Sequence, residues 1–405
     1  MHTESKILKD QPYSPQELLG YTYSELLGIG GFYTAKEIDQ QPHLWKKIWQ
    51  LLDDKQEELA SFLKTAFQED GMSILLTGAG TSAFIGNVLQ GIFQKNTGIS
   101  SAAIPSTDLV LYPEQYFNKR ATLLVSFARS GDSPESLAAV KIANEVCDKV
   151  YHLIITCNPL GQLLISSEIG NKNTYVILLP KEANDKGLAM TGSFTSMLLT
   201  GLLISRIDEM NALKSQVDIL SQAGSHILHN YSQSLRKVAK LHFHRAIFLG
   251  SGPLRSVAQE SDLKLQELTD GQVICKSDSF LGFRHGPKAV INPATLLVYL
   301  FSNNRHVHLY EKDLTRDISK GEKGILRIGI IEKNLGENLD VDLLIEMSPH
   351  AEEIQEEFLT VLSVIPAQIL GFYKSIDFGL APDMPSRQET ITRVVRGVTI
   401  YPFPK

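Results

Sequence analysis

Cysteine is scarce: Cys147, Cys157 and Cys275 are the full complement, unevenly spaced and set in apolar or strand-like surroundings. That leaves no disulfide framework or cysteine metal centre, and the three read as reduced packing residues. A basic excess is also missing. Lys and Arg number 39 against 45 Asp and Glu, a net charge of −6, which argues against a broad nucleic-acid-binding face. No apolar run approaches the ~20 residues that cross a bilayer. The N-terminus, Met1-His2-Thr3-Glu4-Ser5-Lys6, has no basic stretch ahead of an apolar core. The expectation is a cytoplasmic protein with neither membrane nor nucleic-acid partners. His226, His229, His242, His244, His306 and His308 lack a matched cysteine or carboxylate cluster, so no metal or other cofactor is expected.

What the chain does have is a repeat. Leu76-Thr77-Gly78-Ala79-Gly80-Thr81-Ser82 is answered 172 residues later by Leu249-Gly250-Ser251-Gly252-Pro253-Leu254. The runs Leu123 to Ser126 and Leu153 to Thr156 recur at nearly the same offset, at Leu296 to Tyr299 and Ile325 to Ile330. Matched runs, turns and spacing indicate a duplicated domain. Short apolar runs at Ile74 to Leu76, Ala121 to Phe127, Tyr151 to Thr156 and Tyr175 to Leu179 alternate with helical patterns at Ser82 to Phe93, Pro134 to Cys147 and Ser193 to Ile207. The second copy has runs at Ala246 to Leu249, Thr295 to Phe301, Ile325 to Ile331 and Asp342 to Glu346. Such alternation predicts an α/β fold in which each copy is a parallel sheet covered by helices on both faces.

Four regions follow from this pattern. Residues 1–50 form a helical segment whose start is signalled by the capping box Ser14-Pro15-Gln16-Glu17, residues 51–212 the first domain, 213–376 the second, and 377–405 a tail with Pro382, Pro385, Pro402 and Pro404. Helices from about Asn211 to Leu241 and from Glu352 to Ile376 join and close the copies.

Three constellations carry chemistry. Glycines at Gly78 and Gly80, with Thr81 and Ser82 opening a helix, let backbone N–H groups and hydroxyls meet an anion. Arg129-Ser130-Gly131-Asp132-Ser133-Pro134 places a second hydroxyl-rich turn after a strand; the same residues also suit an ordinary serine-capped helix. Glu260, Lys264 and Glu267 lie at spacings of four and three on one helix face, which serves either a site or a solvated face with an ion pair. His285, in Arg284-His285-Gly286-Pro287, could reach a cleft or simply lie on the surface.

Gly78-Ala79-Gly80-Thr81-Ser82, Ser130-Gly131-Asp132-Ser133-Pro134-Glu135 and Phe283-Arg284-His285-Gly286-Pro287 together resemble the sugar isomerase (SIS) domain family over residues ~50–405. The resemblance implies two tandem SIS domains, each a three-layer sandwich. It implies phosphate and substrate binding by Gly80, Thr81, Ser82, Arg129, Ser130, Ser133 and Glu260, with Arg129 where glucosamine-6-phosphate synthase has glutamine and Ala128 where it has serine. Glu267 becomes the base that moves a proton between C1 and C2 of the sugar, and His285 the acid/base that opens the ring. Lys264 and Arg396 complete the expected catalytic set; Arg396 stands where the synthase supplies a lysine, and an arginine disfavours a Schiff base.

If sheltered from water, Glu267 would have the raised proton affinity such a base needs. About 50 residues precede the first domain, which leaves no room for a glutaminase. The expected substrate is thus a hexose or hexosamine 6-phosphate: amine release from galactosamine 6-phosphate, giving tagatose 6-phosphate, with plain aldose/ketose isomerisation or phosphosugar-binding regulation as alternatives. The resemblance also implies a homodimer, with His285 reaching the neighbouring subunit's site.

Overall fold

A computed structural model describes residues 17–166, 172–348, 353–395 and 397–402. A two-stranded hairpin, β1 (Glu17–Leu18) with β2 (Tyr21–Thr22), opens the described chain. The expected capping box falls largely outside the described residues, and Glu17 is extended; the first helix among the described residues starts six residues later. There Thr22 and Glu25 form a reciprocal capping box for α1 (Tyr23–Ile29). Helices α2 (Phe32–Asp39), α3 (Gln41–Asp53) and α4 (Gln56–Phe67) follow.

The first sheet consists of β3 (Ser73–Thr77), β4 (Ser101–Ala103), β5 (Ala121–Ala128), β6 (Lys149–Thr156) and β7 (Thr174–Leu178), all parallel in the order β4-β3-β5-β6-β7. The second contains β8 (Arg245–Gly250), β9 (Ile274–Asp278), β10 (Thr295–Leu300), β11 (Leu326–Ile331) and β12 (Leu343–Glu346) in the order β9-β8-β10-β11-β12. The orders correspond strand for strand, as a duplication requires. Each chain of strands reverses direction once, beside β3 in one sheet and β8 in the other. In such sheets the crevice at the carboxyl ends of the flanking strands is where ligands bind.

The repeat extends to backbone angles. Gly80 has φ 57°, ψ −130° and Gly252 has φ 54°, ψ −128°, a conformation open in practice to glycine alone. After them run α5 (Thr81–Thr97) in the first copy and α8 (Pro253–Leu268) in the second, with α6 (Gly192–Ile204) and α7 (Met210–Ala239) between. Every residue of α6 is buried, because α3 packs over it and α5 lies alongside. The long apolar stretch Glu356–Asp377 is helical in two pieces, α9 (Glu356–Leu362) and α10 (Ile365–Asp377), not the single helix expected from Glu352. Pro366 falls in the first turn of α10, where a missing N–H costs nothing. At 22 residues this stretch is long and apolar enough to cross a membrane, but 94% of its most apolar 18-residue window is buried inside the chain as core.

One apolar core spans both copies, from Ile74 and Leu123 to Phe248 and Leu296, and includes Trp45 of α3. The contact that matters for chemistry is α8 of the second copy lying against α5 of the first.

Candidate active site

Where α5 and α8 meet, side chains from both copies converge. Lys264, wholly buried on α8, donates to the Thr81 Oγ1 at 3.0 Å and to the Glu267 Oε2 at 2.6 Å. Its ammonium also lies 3.3 Å from the Glu260 Oε1, though neither oxygen of that buried carboxyl receives a directed hydrogen bond. Four residues expected from sequence are thereby brought together. Thr81 accepts from Lys264 and its hydroxyl also bears on the Glu260 carboxyl; the Ser82 hydroxyl has no partner among the described residues.

The electrostatics of the trio follow from its dryness. Burial and the charge of Glu267 push the Glu260 carboxyl up to about 8, against the opposing pull of Lys264 and Thr81. Burial works against the Lys264 ammonium as well, yet the two carboxyls outweigh it and its proton is held more tightly than usual. Glu267 keeps 23% of its side chain exposed, so the shelter expected for it is incomplete. An exposed oxygen on a carboxylate anchored from behind is what a base facing substrate needs.

The second hydroxyl-rich turn lies beside the first, because β5 pairs directly with β3. Its backbone is braced from the loop after β6. The Asn158 side chain donates to the Ser130 carbonyl at 2.8 Å, Leu163 N to the Gly131 carbonyl at 2.8 Å, and Gln162 N to Asp132 at 3.0 Å. Gly161 fits against this turn so tightly that a Cβ there would lie 2.4 Å from the Ser130 carbonyl. Ser133 does not cap the helix Pro134–Val146; its hydroxyl donates to Glu135 at 2.6 Å. Arg129 points away from the turn, with Nη1 donating to the carbonyls of Gly187 and Leu188 and Nη2 to that of Arg393.

The second copy's turn has the backbone for an anion but not the donors. Pro253 and Leu254 stand where Thr81 and Ser82 stand, which removes two hydroxyls and one N–H. The copies have divided the labour: one turn keeps its hydroxyls, and the other copy's helix brings carboxyls and a lysine to it.

One further expected residue among those described is not joined to this cluster. His285 is exposed, and its recorded contact is backbone N donating to the Gly282 carbonyl at 3.0 Å. Arg396 lies outside the described residues. Sequence reading also passed over the turn after β7. There Asp185 accepts from Thr191 N and Ser193 N at 2.8 Å each, and Glu37 of α2 accepts from Lys186 N and Gly187 N at 2.5 and 3.2 Å. Its position at a strand's carboxyl end was a signal for Asp185; nothing local marks Glu37.

Comparison with known proteins places this arrangement. The SIS domain profile matches residues 67–205. The chain is 36% identical over 386 residues to the D-galactosamine-6-phosphate deaminase AgaS of Shewanella sp. (strain ANA-3), covering 94% of this chain and 95% of that protein. The chain belongs to the AgaS family of SIS-domain proteins. Solved relatives of this family share the whole architecture. A Clostridium novyi protein named as a tagatose-6-phosphate ketose/aldose isomerase superposes with a TM-score of 0.92 at 38% identity, over 96% of this chain and all of that one. The Escherichia coli tagatose-6-phosphate ketose/aldose isomerase gives 0.83 at 32% identity, over 93% and 98%.

The state of Glu260 yields a pH test. A carboxyl whose folded pKa is raised binds more protons folded than unfolded between its ordinary value near 4.5 and about 8, so stability falls as pH rises through that window and levels off above it. Glu260→Gln mimics the protonated form. Thermal unfolding should show the variant within a few degrees of wild type at pH 6 and relatively more stable at pH 8.5. A parallel pH profile for both proteins refutes the assignment.

Proposed function

We propose that this chain is a galactosamine-6-phosphate deaminase/isomerase that releases ammonia and forms tagatose 6-phosphate. The observation that carries the reading is the Lys264 ammonium, bonded at once to Thr81 of the phosphate-competent turn and to Glu267. A sugar anchored there by its 6-phosphate, on Gly80, Thr81, Ser82, Ser130 and Ser133, would extend its other end along the Glu267 face of α8.

In this reading His285 opens the ring, and Glu267 removes the C2 proton of the open-chain aldehyde. Charge developing on the resulting enolamine is offset by the Lys264 ammonium, which acts from behind Glu267 and not by contact. Reprotonation at C1 leaves an imine at C2, and water hydrolyses it to the ketone and ammonia. Lys264 also fixes the Glu267 carboxylate in place, and protonated Glu260 behind it spares the site a second negative charge. The names of the relatives divide between deaminase and ketose/aldose isomerase; one proton transfer serves both, and the fate of the C2 substituent separates them.

Within the same reading residues 51–212 and 213–376 are the two SIS domains, 1–50 an N-terminal segment and 377–405 a tail over the site, where Arg396 acts by charge alone. A cytoplasmic setting is supported by three free cysteines. We also propose a homodimer, since exposed His285 is not joined to its own chain's cluster and a second subunit's site would give it a place.

The chemistry is tested by product stoichiometry. Galactosamine 6-phosphate should yield ammonia and ketose one for one, and Glu267→Gln should lower kcat by about 10²-fold or more with KM little changed. Rapid interconversion of galactose and tagatose 6-phosphates, with no ammonia from any amino sugar, would establish plain isomerisation. The shared site is tested by complementation. Glu267→Gln and His285→Ala proteins, each inactive, should regain about a quarter of wild-type activity once their subunits exchange at random, because half the dimers then hold one intact site. No recovery after demonstrated exchange returns His285 to its own chain.

A further inference from the structure

Arg129 begins the second hydroxyl-rich turn, yet its side chain is used elsewhere. It is 8% exposed, and the guanidinium donates to Gly187 O at 3.3 Å, Leu188 O at 2.9 Å and Arg393 O at 2.7 Å. Two of these acceptors belong to the turn after β7, and the third to the C-terminal tail, 264 residues away in sequence.

The turn is a fixed platform. Besides the bonds from Asp185 and Glu37 already described, Leu188 N donates to the Asp383 carbonyl at 3.0 Å, while the Asp383 carboxylate accepts from Tyr33 N and Thr34 N at 3.1 and 2.7 Å. The packing at Gly187 is tight, since a Cβ would lie 3.1 Å from Glu37 Oε2 and 3.0 Å from Thr34 Oγ1.

The tail beyond that anchor is thinly held. Its described residues form no helix or strand, and Val395 and Tyr401 are 60% and 80% exposed. Among the described residues, its polar ties to the body past Arg387 are those of two arginines. Arg393 Nε donates to Asp185 O at 2.8 Å and Nη2 to Asn184 Oδ1 at 2.6 Å, while Arg129 holds the Arg393 carbonyl. Side chain and main chain of Arg393 are thus gripped from opposite sides.

We propose that Arg129 is a positioning residue that locks the C-terminal tail to the turn at 184–188, so that the seating of the tail depends on the conformation of the hydroxyl-rich turn Arg129 starts. Its phosphate role expected from sequence passes to the neighbouring hydroxyls and N–H groups. A guanidinium suits this task because its planar fork of donors reaches three carbonyls at once in fixed directions, a geometry that glutamine's two N–H groups and lysine's single nitrogen do not reproduce. Deleting it leaves those acceptors, two of them well inside the protein, without a donor. The proposal rests on the proposed function only for the identity of the anion.

The test uses the full-length chain without substrate. Hydrogen–deuterium exchange of peptides within 388–402 should rise on the order of tenfold in Arg129→Gln, the size expected for loss of a charge-assisted bond, while peptides covering β3 and β5 exchange as in wild type. Arg129→Lys, which can satisfy one carbonyl, should fall between. Arg393→Gln removes the reciprocal bonds from a half-exposed position, and gives the same tail signature should Arg129→Gln fail to fold. Inorganic phosphate, the probe for the turn itself, should bind Arg129→Gln within about threefold of wild type, with kcat/KM for the sugar reduced far more. Unchanged tail exchange in folded Arg129→Gln and Arg393→Gln overturns the proposal. So does a tenfold or greater loss of phosphate affinity with the tail still protected, which would make Arg129 a phosphate ligand. Failure of wild type to bind phosphate or turn over any sugar phosphate would count against the proposed function and leave the exchange comparison intact.

Discussion

A lysine ammonium without access to water is the point on which the two copies depend. Lys264 reaches from α8 to the Thr81 hydroxyl on α5, and an unpaired charge at that depth would be strongly unfavourable. Two carboxyls on its own helix make it tolerable. Glu267 supplies a direct bond and Glu260 a close oxygen, and because burial biases Glu260 toward its protonated form, the trio holds near balance rather than at a net negative charge. The helix–helix contact between copies is therefore registered by a polar link inside an apolar interface, and its register sets the distance from phosphate turn to base.

Duplication explains the shape of the solution. Both copies inherited a strand, a glycine turn at the same backbone angles and a helix, so either could have bound an anion. Proline and leucine at 253 and 254 leave the second copy without the first copy's hydroxyls, and in the proposed reading its helix carries the acid and base groups instead. One core runs through both halves, so the division of labour is fixed by packing and not by a flexible joint.

Much of this was legible in the sequence because it is local. Strands such as Ala121–Ala128 are continuous apolar runs, the glycine turns are punctuated by their own residues, and the spacing of Glu260, Lys264 and Glu267 sets a helix face. Two of the edge strands escaped notice: Ser101–Ala103 is too short for a pattern, and Ile274–Asp278 is half exposed and mostly polar. The N-terminal hairpin is two residues a side and has no period to read. What Arg129 and Glu37 do was hidden for a different reason, since their partners lie 58 to 264 and 149 to 150 residues away. Arg129 drew notice from its position in a motif, and the motif suggested the wrong set of partners for its side chain.

The central claim is that one chain has one phosphate turn, in its first copy, with the base supplied to it by the second. A crystal structure with a non-reactive hexitol 6-phosphate tests that most directly. The account predicts phosphate on Thr81, Ser82, Ser130 and Ser133, an empty turn at Gly250 to Leu254, and C1 and C2 within about 3.5 Å of the Glu267 carboxylate. Phosphate in the second turn, or a sugar whose C1 and C2 lie beyond reach of Glu267, would contradict it.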